Sequence, residues 1–285
     1  MTEQNSCQQH FSSEQPEHLP DSADPSEQAQ TPIIPEIVDD SVRRVRIYTP
    51  AVKPIVTYAL MVLTIAVYMF QTISKQTTGT DLGIAFGAKY GPLIAAGQFW
   101  RLITPILLHG SLMHIAFNMY ALMVLGRDLE PAWGHFNFLI YYLITGFGGN
   151  VFSTIFSPNS ISVGASTSLF GLIAAQGALI YRNRKFFRNY SNAISNILFI
   201  ILFNLTIGMR SGIDNWGHLG GLVSGAMLAF LSTPLMDVTF NPAKARYELT
   251  DTVPQSKRNI AFLLVFGFFA ALIIAFLSRA RLTRL

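Results

Sequence analysis

Ser166 and His218 are the residues whose types and settings could do chemistry. Ser166 lies in Val163 to Gly171, Val-Gly-Ala-Ser-Thr-Ser-Leu-Phe-Gly, where a polar loop of Ser157, Pro158, Asn159 and Ser160 gives way to an apolar run. His218 opens a second glycine-rich apolar run, Trp216-Gly217-His218-Leu219-Gly220-Gly221. An ionisable side chain inside a membrane span is costly and points to a function. A serine in such a run is ordinary by itself, because small residues let membrane helices approach closely. Paired with a histidine it becomes a nucleophile with its general base. From these residues alone, nucleophile and structural serine stand as equals. Ser168 competes with Ser166, but two residues along a helix is about 200° around it, so only one of the two can face the histidine.

His114 and Asn118 are four apart and so share one face of a helix. Acyl transfer develops an oxyanion, and donors aimed at it are worth a few kcal/mol each. A polar pair bridging two helices accounts for them equally well. His109, five residues before His114, falls off that face and reads as a structural or water-organising residue. Asp214, four residues before His218, could complete a Ser-His-Asp triad but reads better as a residue of an external loop.

Taken together, these pieces resemble the rhomboid family of intramembrane serine proteases. The resemblance runs from about Trp100 to Gly225, through Trp100-Arg101, the His109, His114, Asn118 series, Gly164-Ala165-Ser166 and His218-Leu219-Gly220-Gly221. It implies a Ser166–His218 dyad without an acid, and oxyanion contacts from His114, Asn118 and the serine's backbone N–H. It also implies that Phe170 packs on the histidine and that Trp100-Arg101 shapes the first loop. One departure is Thr167, where many rhomboids have glycine; a β-branched residue there adds bulk at a helix seam.

The elements that must position these residues are membrane helices. The chain is 51% hydrophobic and 13% charged, with a mean hydropathy of +0.38, outside the range of soluble domains. A single cysteine, Cys7, excludes intramolecular disulfides, and no Cys or His cluster has the spacing of a structural metal site. Residues 1 to 42 hold nine of the sixteen acids and no Lys or Arg, leaving the remainder at 20 minus 7, or +13. Those cations lie in short loops between apolar runs, which is the pattern of membrane topology rather than nucleic-acid binding.

Residues 1–45 read as a disordered acidic cytoplasmic tail, too poor in apolar residues to fold alone. Residues 46–285 read as an all-α polytopic domain, a rhomboid-like six-helix core with a seventh C-terminal span and the catalytic part at about 98–232. Expected spans are Pro54–Phe70, Leu102–Leu125, Phe136–Phe156, Gly164–Tyr181, Ala193–Met209, Trp216–Leu231 and Asn259–Ser278, with a long interfacial loop from Gln71 to Arg101. Arg43, Arg44 and Arg46 put the N-terminus inside. The densest basic loop, Arg182, Arg184, Lys185 and Arg188, falls inside after four crossings. Arg279, Arg281 and Arg284 fit the last crossing less well. Spans two, four and six then enter from outside, bringing His114, Asn118, Ser166 and His218 to the outer half of the membrane. Small residues recur at Gly217, Gly221 and Gly225, and at Thr167, Gly171 and Ala175, as two helices in close contact require.

The expected function is intramembrane serine endopeptidase activity at or beside transmembrane segments of other membrane proteins, in a plasma membrane, with no cofactor, no metal and no nucleic-acid partner. The alternative is a catalytically inactive rhomboid-like protein that binds membrane clients. A transporter would call for inverted repeats, a metalloprotease for His-Glu-x-x-His, and aspartyl chemistry for paired membrane carboxylates; the chain has none of these.

Overall fold

The computed structural model describes residues 47–48, 52–209 and 212–282. The acidic segment, the arginines at 43, 44 and 46, Cys7 and Arg284 lie outside the described residues. Nine α-helices and a small three-stranded sheet follow in chain order among the described residues.

Strand β1 (Ile47–Tyr48) leads into α1 (Ile55–Thr78). This helix runs eight residues past the expected end of the first span, since nothing breaks it before Gly79, which ends it at φ 75°. The following loop is built from two short helices, α2 (Leu82–Gly87) and α3 (Gly91–Ala95), and two 3-10 turns at Phe99–Leu102 and Thr104–Leu107.

The second span begins ten residues later than the hydropathy predicts, at α4 (Leu112–Trp133). Pro105 and Gly110 prevent a continuous helix through the apolar run, and Ser111 starts one by accepting the His114 amide at 3.2 Å. At its other end α4 continues through Arg127, Asp128 and Glu130, which hydropathy excluded. Glu130 is fully buried and accepts from the Val56 and Thr57 amides at 2.8 and 2.7 Å and from the Thr57 hydroxyl at 2.6 Å, capping α1.

The remaining helices match their expected spans closely: α5 (His135–Phe156), α6 (Ser166–Arg182), α7 (Tyr190–Ile207), α8 (Asn215–Ser232) and α9 (Gln255–Leu282). This is an all-α polytopic membrane fold. By length and composition, α1, α5, α7 and the Gln255–Arg279 part of α9 can each cross a membrane. Helices α4, α6 and α8, which carry the chemistry-bearing residues, are the more polar or shorter ones.

Helices α5, α6 and α8 pack on one another at the centre, with α4 beside α6, α1 against α4, and α9 against α5 and α8. None of the residues of α7 is buried. The contact between α6 and α8 is close because glycines meet backbone: a Cβ on Gly225 would stand 2.5 Å from Gly171 Cα, and one on Gly221 would overlap the Thr167 carbonyl oxygen. The anticipated small-residue stripes are thus opposed in register.

Between α8 and α9 the sequence suggested only a basic loop, yet the chain forms a hairpin. Strands β2 (Met236–Asn241) and β3 (Arg246–Asp251) pair antiparallel, and β1 adds parallel to β3 with Ile47 opposite Tyr247. Alternating polar residues and an Asn241 side chain that accepts the Ala243 amide at 3.1 Å support the turn.

Candidate active site

Ser166 is the first residue of α6, so its amide has no acceptor within the helix. It is preceded by Gly164 at φ 130°, a conformation that favours glycine. Glycine is also required by space there, since a Cβ would lie 2.7 Å from His114 Nε2 and 3.5 Å from Ser166 Oγ. His114 thereby reaches the serine across Gly164. On the facing helix, His218 sits in the first turn of α8 with Nε2 2.9 Å from Ser166 Oγ. Phe170, one turn after Ser166, stacks on the imidazole with centroids 4.5 Å apart and planes 16° from parallel.

Serine, both histidines and Asn118 line one cavity of about 1130 Å³ bounded by α4, α6, α7, α8 and the 157–163 loop. Asn118 is buried, and its Nδ2 has no hydrogen-bond partner among the described residues. Such a buried, unmatched donor facing a cavity costs stability unless it is to meet an acceptor there.

The competing assignments separate cleanly. Ser168 points the other way, fully buried, donating to the Tyr142 carbonyl at 2.8 Å. Asp214 does not reach His218, whose Nδ1 has no hydrogen-bond partner among the described residues. Its carboxylate instead accepts from the Gly217 amide at 2.9 Å and from the Ser153 hydroxyl at 2.5 Å, which caps α8 and ties it to α5. Ser166 and His218 therefore meet each other with no carboxylate on the imidazole among the described residues.

His109 lies behind the cavity wall, edge-on to His114 with ring centroids 5.0 Å apart. Its backbone is held by the Gln71 amide, which donates to the His109 carbonyl at 3.2 Å and accepts its N–H at 3.0 Å. Arg101 is buried rather than extended to an interface, donating to the carbonyls of Ala85 and Ala88 and to Gln98 Oε1 at 2.6, 2.8 and 2.7 Å. Trp100 keeps its ring exposed while Nε1 donates to Phe86 at 2.8 Å. Both shape the first loop.

Thr167 does not widen the seam. Its side chain fits where glycines leave room, since a Cβ on Gly149 would approach Thr167 Cβ to 2.6 Å and one on Gly217 would approach Thr167 Cγ2 to 3.1 Å.

A family model described as Rhomboid domain matches residues 96–234. The chain belongs to the rhomboid family. It is 42% identical over 181 residues to Rhomboid protease GluP of Bacillus subtilis (strain 168), covering 62% of this chain and 34% of that one. It is 38% identical over 139 residues to RHOMBOID-like protein 6, mitochondrial, of Arabidopsis thaliana, covering 49% and 45%. With Rhomboid-like protease 1 of Toxoplasma gondii the identity is 39% over 153 residues, covering 52% of each. The matched stretch thus spans about a third to a half of these relatives. The rhomboid domain contains α4 to α8 and every residue lining the cavity.

Three positioning residues escaped the sequence reading. Ser153 and Glu130 gave little signal, but Lys89 gave one, as a lone cation between Gly87-Ala88 and Tyr90-Gly91 within the apolar stretch 82–97.

Proposed function

We propose that this rhomboid cleaves peptide bonds in or next to transmembrane segments of other membrane proteins, with Ser166 as nucleophile and His218 as general base. The observation that carries this reading is the 2.9 Å approach of His218 Nε2 to Ser166 Oγ at the floor of a cavity. Within hydrogen-bond reach, the imidazole can take the hydroxyl proton as Oγ attacks the scissile carbonyl, then return it to the leaving amine. Water hydrolyses the acyl-enzyme by the same route in reverse. His114, Asn118 and the Ser166 amide surround the position where the carbonyl oxygen would become an oxyanion. Phe170 stacking fixes the ring that no carboxylate orients.

In this reading the N-terminus and the hairpin lie in the cytoplasm and the cavity in the outer half of a plasma membrane. At about 1.5 Å per residue, α6 is about 25 Å long, short of a hydrocarbon core of about 30 Å. A helix of that length leaves Ser166 recessed below the surface, with the cavity to admit water. The domain boundaries that go with this reading are an N-terminal tail of residues 1–45 and a protease domain of residues 46–285 with its catalytic part at about 98–232.

The test is cleavage of a model single-span substrate by purified protein in detergent, beside Ser166→Ala and His218→Ala. Cleavage by the parent and by neither variant supports the dyad. Variants that cut as well as the parent overturn it, and a parent that binds the substrate without cutting favours the client-binding alternative.

A further inference from the structure

The loop that leads into Ser166 hangs from a distant part of the chain. Residues 157–163 form one wall of the cavity, through Ser157, Ser160, Ile161, Ser162 and Val163. They are anchored chiefly to the first loop rather than to the helices they connect. Lys89 and Ser162 exchange backbone hydrogen bonds at 3.0 and 3.1 Å, and the Gly91 amide donates to the Pro158 carbonyl at 2.8 Å. The Gly164 amide donates to Pro105 at 2.9 Å.

The Lys89 side chain completes this anchorage. It is fully buried, which is rare for lysine unless its charge is matched. Its Nζ donates to the Ser157 carbonyl at 2.8 Å, to the Ser160 carbonyl at 3.0 Å and to the Ser160 hydroxyl at 2.9 Å. All three N–H donors of the ammonium therefore find acceptors, and all three acceptors belong to the cavity wall. The Asp214 carboxylate, which caps the helix of His218, is the charge that favours the protonated form.

We propose that Lys89 is a positioning residue for substrate: its ammonium holds the 157–163 loop as a fixed wall of the cavity above Ser166. This inference rests on the Ser166–His218 reading. Substrate chain lying along that wall would be bound in both ground and transition states. Loss of the ammonium therefore weakens binding more than it slows chemistry, which is the signature of uniform binding.

The experiment compares parent, Lys89→Met and Lys89→Gln on the single-span substrate. Reaction of Ser166 with a small fluorophosphonate, which forms an Oγ–P bond and releases fluoride, is measured in parallel and reports on the dyad without needing the wall. In Lys89→Met, KM is expected to rise about tenfold while kcat and the fluorophosphonate rate stay within about twofold. Lys89→Gln keeps two donors without charge and is expected to fall between. An unchanged KM in folded Lys89→Met overturns the proposal. So does a parallel fall of kcat, labelling and thermal midpoint at constant KM, which is what a general scaffold role would give. Should Lys89→Met not fold, Ser160→Ala decides, because it removes one of the three acceptors of the ammonium, together with the bond the hydroxyl donates to the Ser157 carbonyl at 2.9 Å, and leaves both carbonyl acceptors in place: a rise in KM of about threefold supports the proposal and none overturns it. A parent that neither cleaves nor reacts refutes the dyad itself, a result distinct from any variant-specific failure.

Discussion

Adding one methyl group at Gly221 tests whether the α6–α8 contact sets the dyad geometry. The new Cβ would overlap the Thr167 carbonyl oxygen and stand 2.9 Å from its carbonyl carbon and 3.2 Å from its Cα. All three are backbone atoms next to Ser166, so no rotamer change relieves the overlap. Relief requires the helices to part by on the order of 1 Å, at an overpacking cost of roughly 1–3 kcal/mol. Gly221 is one residue short of a turn from His218, so much of that movement reaches the Ser166 Oγ to His218 Nε2 separation. From 2.9 Å the pair would open beyond hydrogen-bond reach, and a misplacement of about 1 Å can cost about 100-fold in rate. Gly221→Ala is therefore expected to lower kcat about 100-fold in protein that still unfolds cooperatively in detergent. Gly177→Ala on the facing helix α6 is the control, because its Cβ meets only the Ile197 side chain at an ordinary 3.6 Å. It should keep full activity and gain up to about 1 kcal/mol of stability from the better helix former. Folded Gly221→Ala with parental kcat would refute the idea that this seam sets the dyad distance.

Asn118→Ala removes an unmatched buried donor facing the cavity and is expected to reduce kcat about 100-fold with KM within about twofold. Steady-state kinetics on the single-span substrate check it, and a pure KM effect would contradict the oxyanion role. Glu130→Ala removes the carboxylate that accepts three hydrogen bonds from the start of α1 and should cost about 3 kcal/mol of stability by unfolding in detergent. Loss below about 1 kcal/mol would show that water replaces them. Burial lowers Lys89 from 10.5 to about 8 against the pull of Asp214. The unfolded chain then binds more protons than the folded protein between those values, so Lys89 makes stability rise with pH from about 8 to 10.5. The stability of the parent relative to Lys89→Met should increase across that window, and a flat difference would contradict the sign.

How much was legible follows from the kind of interaction each feature depends on. Spans α5 to α8 were readable to within a few residues because burial in lipid needs long apolar runs, a one-dimensional property. The start of α4 was not, because Leu102 to Leu108 are as apolar as a span and only Pro105, Gly110 and the Ser111 cap redirect the chain. The hairpin was missed because two six-residue strands among basic residues look like any polar loop, and the strand that extends its sheet comes from 200 residues away.

The sequence by itself determined the membrane class, the helical fold and the short set of residues that could carry chemistry, since residue type and spacing along a helix settle which groups share a face. It left Ser166 and a structural serine as equals, allowed an Asp214 triad, and marked Lys89 as a lone cation without saying what it meets. The contacts that bear on those matters exist only in the tertiary structure. The approach of His218 to Ser166, the diversion of Asp214 to Ser153, and the reach of Lys89 to the 157–160 loop all join residues 52 to 71 positions apart. Contacts between such distant residues are set by how closely backbones pack at Gly164, Gly171, Gly221 and Gly225. That closeness depends on the facing helix, which no local pattern encodes.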